Sequence, residues 1–143
     1  WAPVVRAPNA LIEDIRETIE DCATSSNPSL PGLAQRLQPA ADALETAARR
    51  MATAENADRF TGATAFLKLA GDVVGGWLLC VGAVAAQRRL KEEEGDLDYA
   101  RHRISLANIY AETVLAAAPG LLGEIMLGAD ALFEPGDAML ESA

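Results

Sequence analysis

Gly71-Asp-Val-Val-Gly-Gly-Trp-Leu-Leu-Cys-Val-Gly-Ala-Val-Ala-Ala86 decides how this chain folds. The stretch is apolar nearly throughout, rich in small residues, and carries one large aromatic, Trp77. It is a long apolar run with no alternation of polar and apolar positions, so it is expected to be a buried helix that lets another helix approach closely. Each glycine inside a helix costs ~1 kcal/mol against alanine. Gly71, Gly75, Gly76 and Gly82 therefore need a reason, and close approach of another helix supplies one. A phosphate-cradling loop is the rival, but it requires a preceding strand and a Gly-Lys-Ser/Thr ending, and neither is present. The apolar run from Val73 to Ala86 is shorter than the ~20 residues of a membrane-spanning helix. The expectation is a core helix with no membrane span.

Working outward, the third helix extends from about Asp58 to Glu94, with a stripe of Phe66, Ala70, Val73, Trp77, Val81 and Val84. Gly95-Asp96 ends it and starts the next, with Gly95 past the C-terminus and Asp96 as N-cap. The fourth helix repeats apolar residues at alternating three and four from Ile104 through Ala107, Ala111, Val114, Ala118, Leu121 and Ile125 to Ala129 and Leu132. Pro119-Gly120 interrupts this series as a kink or as a join between two helices. Upstream, the second helix starts at Ser29 to Pro31, carries Leu33, Leu37, Leu44 and Met51, and ends near Glu55-Asn56. Pro39 kinks it or marks a late start. The first helix begins after Pro8 with Asn9 as N-cap and buries Leu11, Ile15, Ile19 and Cys22. Short connections between long amphipathic helices make neighbours antiparallel. The fold class is all-α, an up-down antiparallel four-helix bundle. Residues 1–8, which are Pro-rich, read as a linker from upstream domains. The bundle domain is 9–133, and 134–143 is a loose C-terminal tail.

Composition agrees. Half of the 143 residues are apolar while aromatics make up only 5%, which favours helices packed through small side chains. A net charge of -9 repels nucleic acid and anionic surfaces. Cys22 and Cys80 lie in apolar helical stretches and read as small core residues, as in a protein of the reducing cytoplasm. Di-iron bundles need Glu-x-x-His pairs. Here the single histidine, His102, follows Tyr99 by three, so that site is excluded. A lone histidine also lacks the partners that catalysis requires, and His102 is expected as a solvated first-turn residue. Glu13, Asp14, Glu17, Glu20 and Asp21 form a solvated face. Arg88 and Arg89 close the third helix, and Arg101 and Arg103 open the fourth, so the hairpin gathers them at one end of the bundle. They are candidates for holding a phosphate or an acidic partner; complementing the helix end is the alternative. Tyr110 lies off the seam of its helix. The residues expected at the structural centre are Trp77, Gly71, Gly75 and Gly76.

The pattern Phe66-Leu-x-Leu69, Gly71-x-x-x-Gly75-Gly-Trp-Leu78, Ala85-Ala86, then a charged break and Ala107-Asn-Ile-Tyr-Ala-Glu112 up to Leu115 resembles a known family. It is similar to the additional C-terminal helical domain of the larger bacterial acyl-CoA dehydrogenases, over roughly Leu11 to Phe133. The resemblance implies a FAD-dependent parent of fatty acid metabolism that oxidises an acyl-CoA to the 2,3-enoyl-CoA. It implies upstream domains of the same polypeptide as partners, acyl-CoA as the parent's substrate, and a homo-oligomeric parent. Catalytic and flavin-binding residues belong to the upstream domains, so none is carried onto this sequence, and no metal site is expected. The domain would serve a structural, subunit-contact or substrate-channel role. The alternative is a non-enzymatic helical interaction or oligomerisation module.

Overall fold

In the computed structural model the described residues are 2–128, with side chains described from Asn9 onward. Helix α1 spans Ala2–Ala23, α2 Pro31–Thr53, α3 Asn56–Glu92 and α4 Leu97–Tyr110. The chain then passes through a π-helical turn, Ala111–Leu115, and a 3-10 turn, Ala118–Leu121, into the short helix α5, Leu122–Met126. No strand occurs among the described residues. Helices α1 to α4 form the expected up-down bundle. Asn27, between α1 and α2, donates to the Gln87 side chain near the end of α3 (2.6 Å). The Asn108 amide reaches the Ser29 carbonyl (3.1 Å). These bonds set the α1–α2 turn beside the end of α3 and the C-terminal part of α4.

The ends depart from the sequence reading in instructive ways. Helix α1 starts at Ala2 and passes through Pro8, so Asn9 lies inside the helix and is not its N-cap. Pro39 lies within an unbroken α2, which rules out a late start there. Asp96 caps α4 as expected, accepting from the Tyr99 amide at 3.0 Å. The left-handed residue that ends α3 is Glu93 (φ 54°), not Gly95, although Gly95 also has positive φ (75°). The Glu94 amide bonds back to the Arg89 carbonyl at 3.0 Å. That six-to-one closure is a Schellman cap. Ala129, Leu132 and the tail 134–143 lie outside the described residues.

The core is built from Ile15 and Cys22 of α1, Leu33 and Leu37 of α2, Leu69, Val73 and Cys80 of α3, and Leu115 and Ile125 beyond α4. In α3 the buried line runs Gly62, Ala65, Leu69, Val73, Gly76, Cys80 and Ala83. The expected stripe is thus turned by about one residue. Phe66, Ala70, Trp77 and Val84 flank the core as partly buried residues, and Val81 is 42% exposed. The cause is chemical: α3 is apolar on every side, so hydrophobicity alone carries no phase. Its outer side leaves Phe60, Leu67 and Leu78 in the open, at 86%, 69% and 55% exposure. By length and composition alone α3 would suit a membrane crossing. Its inner face nevertheless packs on the other helices as a core helix does.

In α4 the expected seam holds through Ile104, Ala107 and Ala111. The π turn then adds a residue, with the Ala116 amide bonding to the Ala111 carbonyl five positions back (2.9 Å). Leu115 takes the core place expected for Val114. The join at Pro119-Gly120 is the 3-10 turn leading into α5.

Candidate functional site

The glycine-rich middle of α3 is where three other segments converge. A Cβ at Gly76 would lie 2.6 Å from Leu115 Cδ2, and one at Gly75 would lie 2.7 Å from Tyr110 Oη. A Cβ at Gly82 would collide with the Arg103 guanidinium. These three glycines therefore let α4 and its π turn lie against the α3 backbone. Gly71 does not belong with them, since a Cβ there would meet nothing within 4 Å. It sits on the outer side of α3, so its place at the structural centre is corrected. Trp77 is only partly buried. Its Nε1–H donates to Thr18 Oγ1 at 2.9 Å, and Thr18 Oγ1 in turn donates to the Asp14 carbonyl at 3.2 Å. Trp77 thus fastens α1 to α3 through a polar bond at the core margin.

Tyr110, which the sequence placed off its seam, closes the other side. Its phenol donates to the Asp72 carbonyl at 2.8 Å. Burial, and then the Asp72 carboxylate, hold its ionisation above the ordinary tyrosine range. Asp72 itself is paired with Lys68 at 2.9 Å. A phenol kept neutral and already donating to a backbone carbonyl is a fastening, not a catalytic acid.

The four arginines do not form one cluster. Arg89 and Arg103 line a groove of about 160 Å³ between α3 and α4, with Tyr99, Ala85 and Ala100. Arg88 faces a different cleft of about 380 Å³, with Asp21, Ser25 and Lys91. Arg101 points outward and pairs with Asp98 at 2.9 Å. The α3–α4 groove can attract a phosphate oxygen through two guanidinium groups. His102 is exposed, its Nδ1 2.7 Å from the Asp98 carbonyl. The acidic side of α1 is exposed as expected. No group of three metal-ligating side chains occurs among the described residues.

Among the other pairings that escaped the sequence are one of thiols and one of charges. Cys22 and Cys80 are both fully buried, 0% and 1% exposed, in the core where α1 meets α3. The neighbouring Cys22 thiol, together with burial, pushes the Cys80 thiol well up, so it stays protonated. Arg36 of α2 holds Glu112 at 2.8 Å and keeps its carboxyl below the ordinary range. Neither pair has a local spacing signal, because each joins residues far apart in sequence.

The arrangement among the described residues is thus a packing centre flanked by a small cationic groove and a larger cleft. No curated protein and no solved structure matches the chain. The family model for acetyl-CoA dehydrogenase C-terminal-like domains matches residues 11–135. That span takes in the latter part of α1, all of α2 to α4, the converging glycines, Trp77 and Tyr110, and the chain belongs to the acetyl-CoA dehydrogenase C-terminal-like family.

Proposed function

We propose that this domain is the accessory helical module of a FAD-dependent acyl-CoA dehydrogenase, and that its own work is structural, through subunit contact. The parent would oxidise an acyl-CoA to the 2,3-enoyl-CoA on its upstream domains, in the metabolism of fatty acids. The family match over residues 11–135 carries this reading. The site supports the division of labour. The polar groups at the centre of α3 bond to one another, and the groove between Arg89 and Arg103, at about 160 Å³, is too small to enclose an acyl-CoA. Clefts that bind ligands of drug size are typically ~300–1,000 Å³, a range that the Arg88 cleft, at about 380 Å³, enters only at its low end. FAD and acyl-CoA would be bound by the upstream domains, with this domain packed as their support.

The test uses the natural polypeptide that carries this domain. Its visible spectrum is recorded before and after a panel of acyl-CoAs is added. Flavin bands that bleach with an acyl-CoA support the reading. A colourless protein that stays unresponsive after FAD is supplied refutes it in favour of a non-enzymatic interaction module.

A further inference from the structure

The outer side of α3 has an internal order that its packing in the bundle does not explain. From Phe60 to Ala85 the positions facing away from the core recur at alternating four and three, the spacing of a coiled-coil seam. No charged residue falls on that line, and Thr64 is its one polar side chain. Phe60, Leu67, Leu78 and Val81 on it are among the most exposed large apolar residues described. The line is also self-complementary in size. Laid antiparallel on a second copy, one register sets Phe60 against Ala85 and Thr64 against Val81. The same register sets Leu67 against Leu78 and Gly71 against Val74. In the first and last of these pairs a bulky side chain meets a small one or none. Thr64 and Val81 are both β-branched and nearly equal in size, and Leu67 and Leu78 join two leucines across the axis. The Thr64 hydroxyl is no obstacle to burial, since a helical threonine can donate to the carbonyl four residues back. Gly71, which has open space around it in the single chain, is then the position where the partner's valine approaches.

We propose that this face of α3 is a two-fold interface with a second copy of the same chain. The pairing is isologous, so each pair occurs twice. One layer further out, the register brings the exposed Arg88 beside Ala57 and the exposed Glu55 of the second copy, so opposite charges meet at both ends of the seam. Antiparallel dipoles add to this, since each helix start lies by the other's end. The area is of the right order. The four large residues alone present roughly 450 Å² per copy, over half the ~800 Å² per partner of a standard interface. The smaller seam residues Thr64, Gly71, Val74 and Ala85 add to it. A membrane or an upstream domain would use the same apolarity. Neither would call for side chains whose sizes match across one antiparallel register.

The inference rests on the subunit-contact role proposed above but not on the flavin chemistry. It is tested in the natural polypeptide by mixing two differently tagged preparations, one with Leu67→Cys and one with Leu78→Cys, under mild oxidation. In the proposed register the two positions come within disulfide reach, whereas Leu67 of one copy lies ~16 Å along the axis from Leu67 of the other. The expected result is an interchain cross-link in the mixture and almost none in either preparation alone. Adding Val81→Glu to both should cut the yield at least tenfold with an unchanged circular dichroism spectrum, since that side chain is exposed. A mixture that cross-links no better than the single preparations overturns the inference, as does a yield indifferent to Val81→Glu. Cross-linking in a colourless protein would overturn the flavoenzyme reading alone, and its absence from an active flavoenzyme would overturn this one alone.

Discussion

Gly76→Ala and Gly71→Ala are the same chemical change five residues apart on one helix, and the structure assigns them opposite outcomes. Each replaces a glycine in a helix interior, so each should gain ~1 kcal/mol from reduced backbone freedom in the unfolded chain. At Gly71 nothing lies within 4 Å of the new methyl, and the gain stands. At Gly76 the methyl would sit 2.6 to 2.8 Å from three carbon atoms of Leu115. Leu115 is 1% exposed, so its branched end has no free space to swing into and the π turn behind it must shift. Overpacking of this kind costs typically 1–3 kcal/mol. The Gly76 variant is therefore expected to be level with the parent or up to ~2 kcal/mol less stable, and ~1–3 kcal/mol less stable than the Gly71 variant. Because the unfolded-state terms cancel, that difference reads packing alone. Urea unfolding followed by circular dichroism measures it. Both variants should carry Leu67→Glu, so that the outer face of α3 stays unpaired. Equal stabilities would refute the claim that α4 and its π turn lie against a bare α3 backbone.

Other substitutions probe the remaining fastenings. Trp77→Phe keeps a ring at the core margin but removes the donor to Thr18, and should cost about 0.5–1.5 kcal/mol by urea unfolding. Tyr110→Phe should cost a similar ~0.5–1.5 kcal/mol at pH 7 through the lost bond to the Asp72 carbonyl. Because the folded chain holds Tyr110 above its ordinary value of 10.0, the stability it contributes is complete below pH 10 and is lost as pH rises through the folded value. The stability curve of Tyr110→Phe should accordingly fall less steeply above pH 10 than that of the parent. Cys22 and Cys80 should resist a thiol reagent in the folded protein and both react on unfolding. Rapid modification without loss of circular dichroism would contradict their burial.

The four helices and most of their limits were legible because Pro, Gly and Asp mark the ends and three of the helices have a polar side. The phase of α3 was not. Its core line uses Gly62, Ala65, Gly76 and Ala83, residues whose value lies in what they omit, and a scan for large apolar side chains passes over them. Trp77 was found because it is large, yet it lies at the margin, where its indole can both pack and donate. Gly75 and Gly76 were correctly placed by the cost of glycine in a helix, and the same argument misplaced Gly71 because a second cause, an outer face, leaves the same mark. Of the arginines, only Arg89 and Arg103 share a groove. Arg88 and Arg89 are adjacent on a helix and must point about 100° apart.

The π turn at Ala111–Leu115 has a bearing on how this chain can change length over evolution. An ordinary helix couples residue count to rotation, so losing one residue turns everything after it by about 100°. A π turn closes over one residue more than an α turn. A deletion inside Ala111–Leu115 can return the segment to ordinary helix while Ala107 before it and Ala118 after it still face the core. Natural variation of one residue in chain length should therefore collect in that turn, and be purged from the rest of α4.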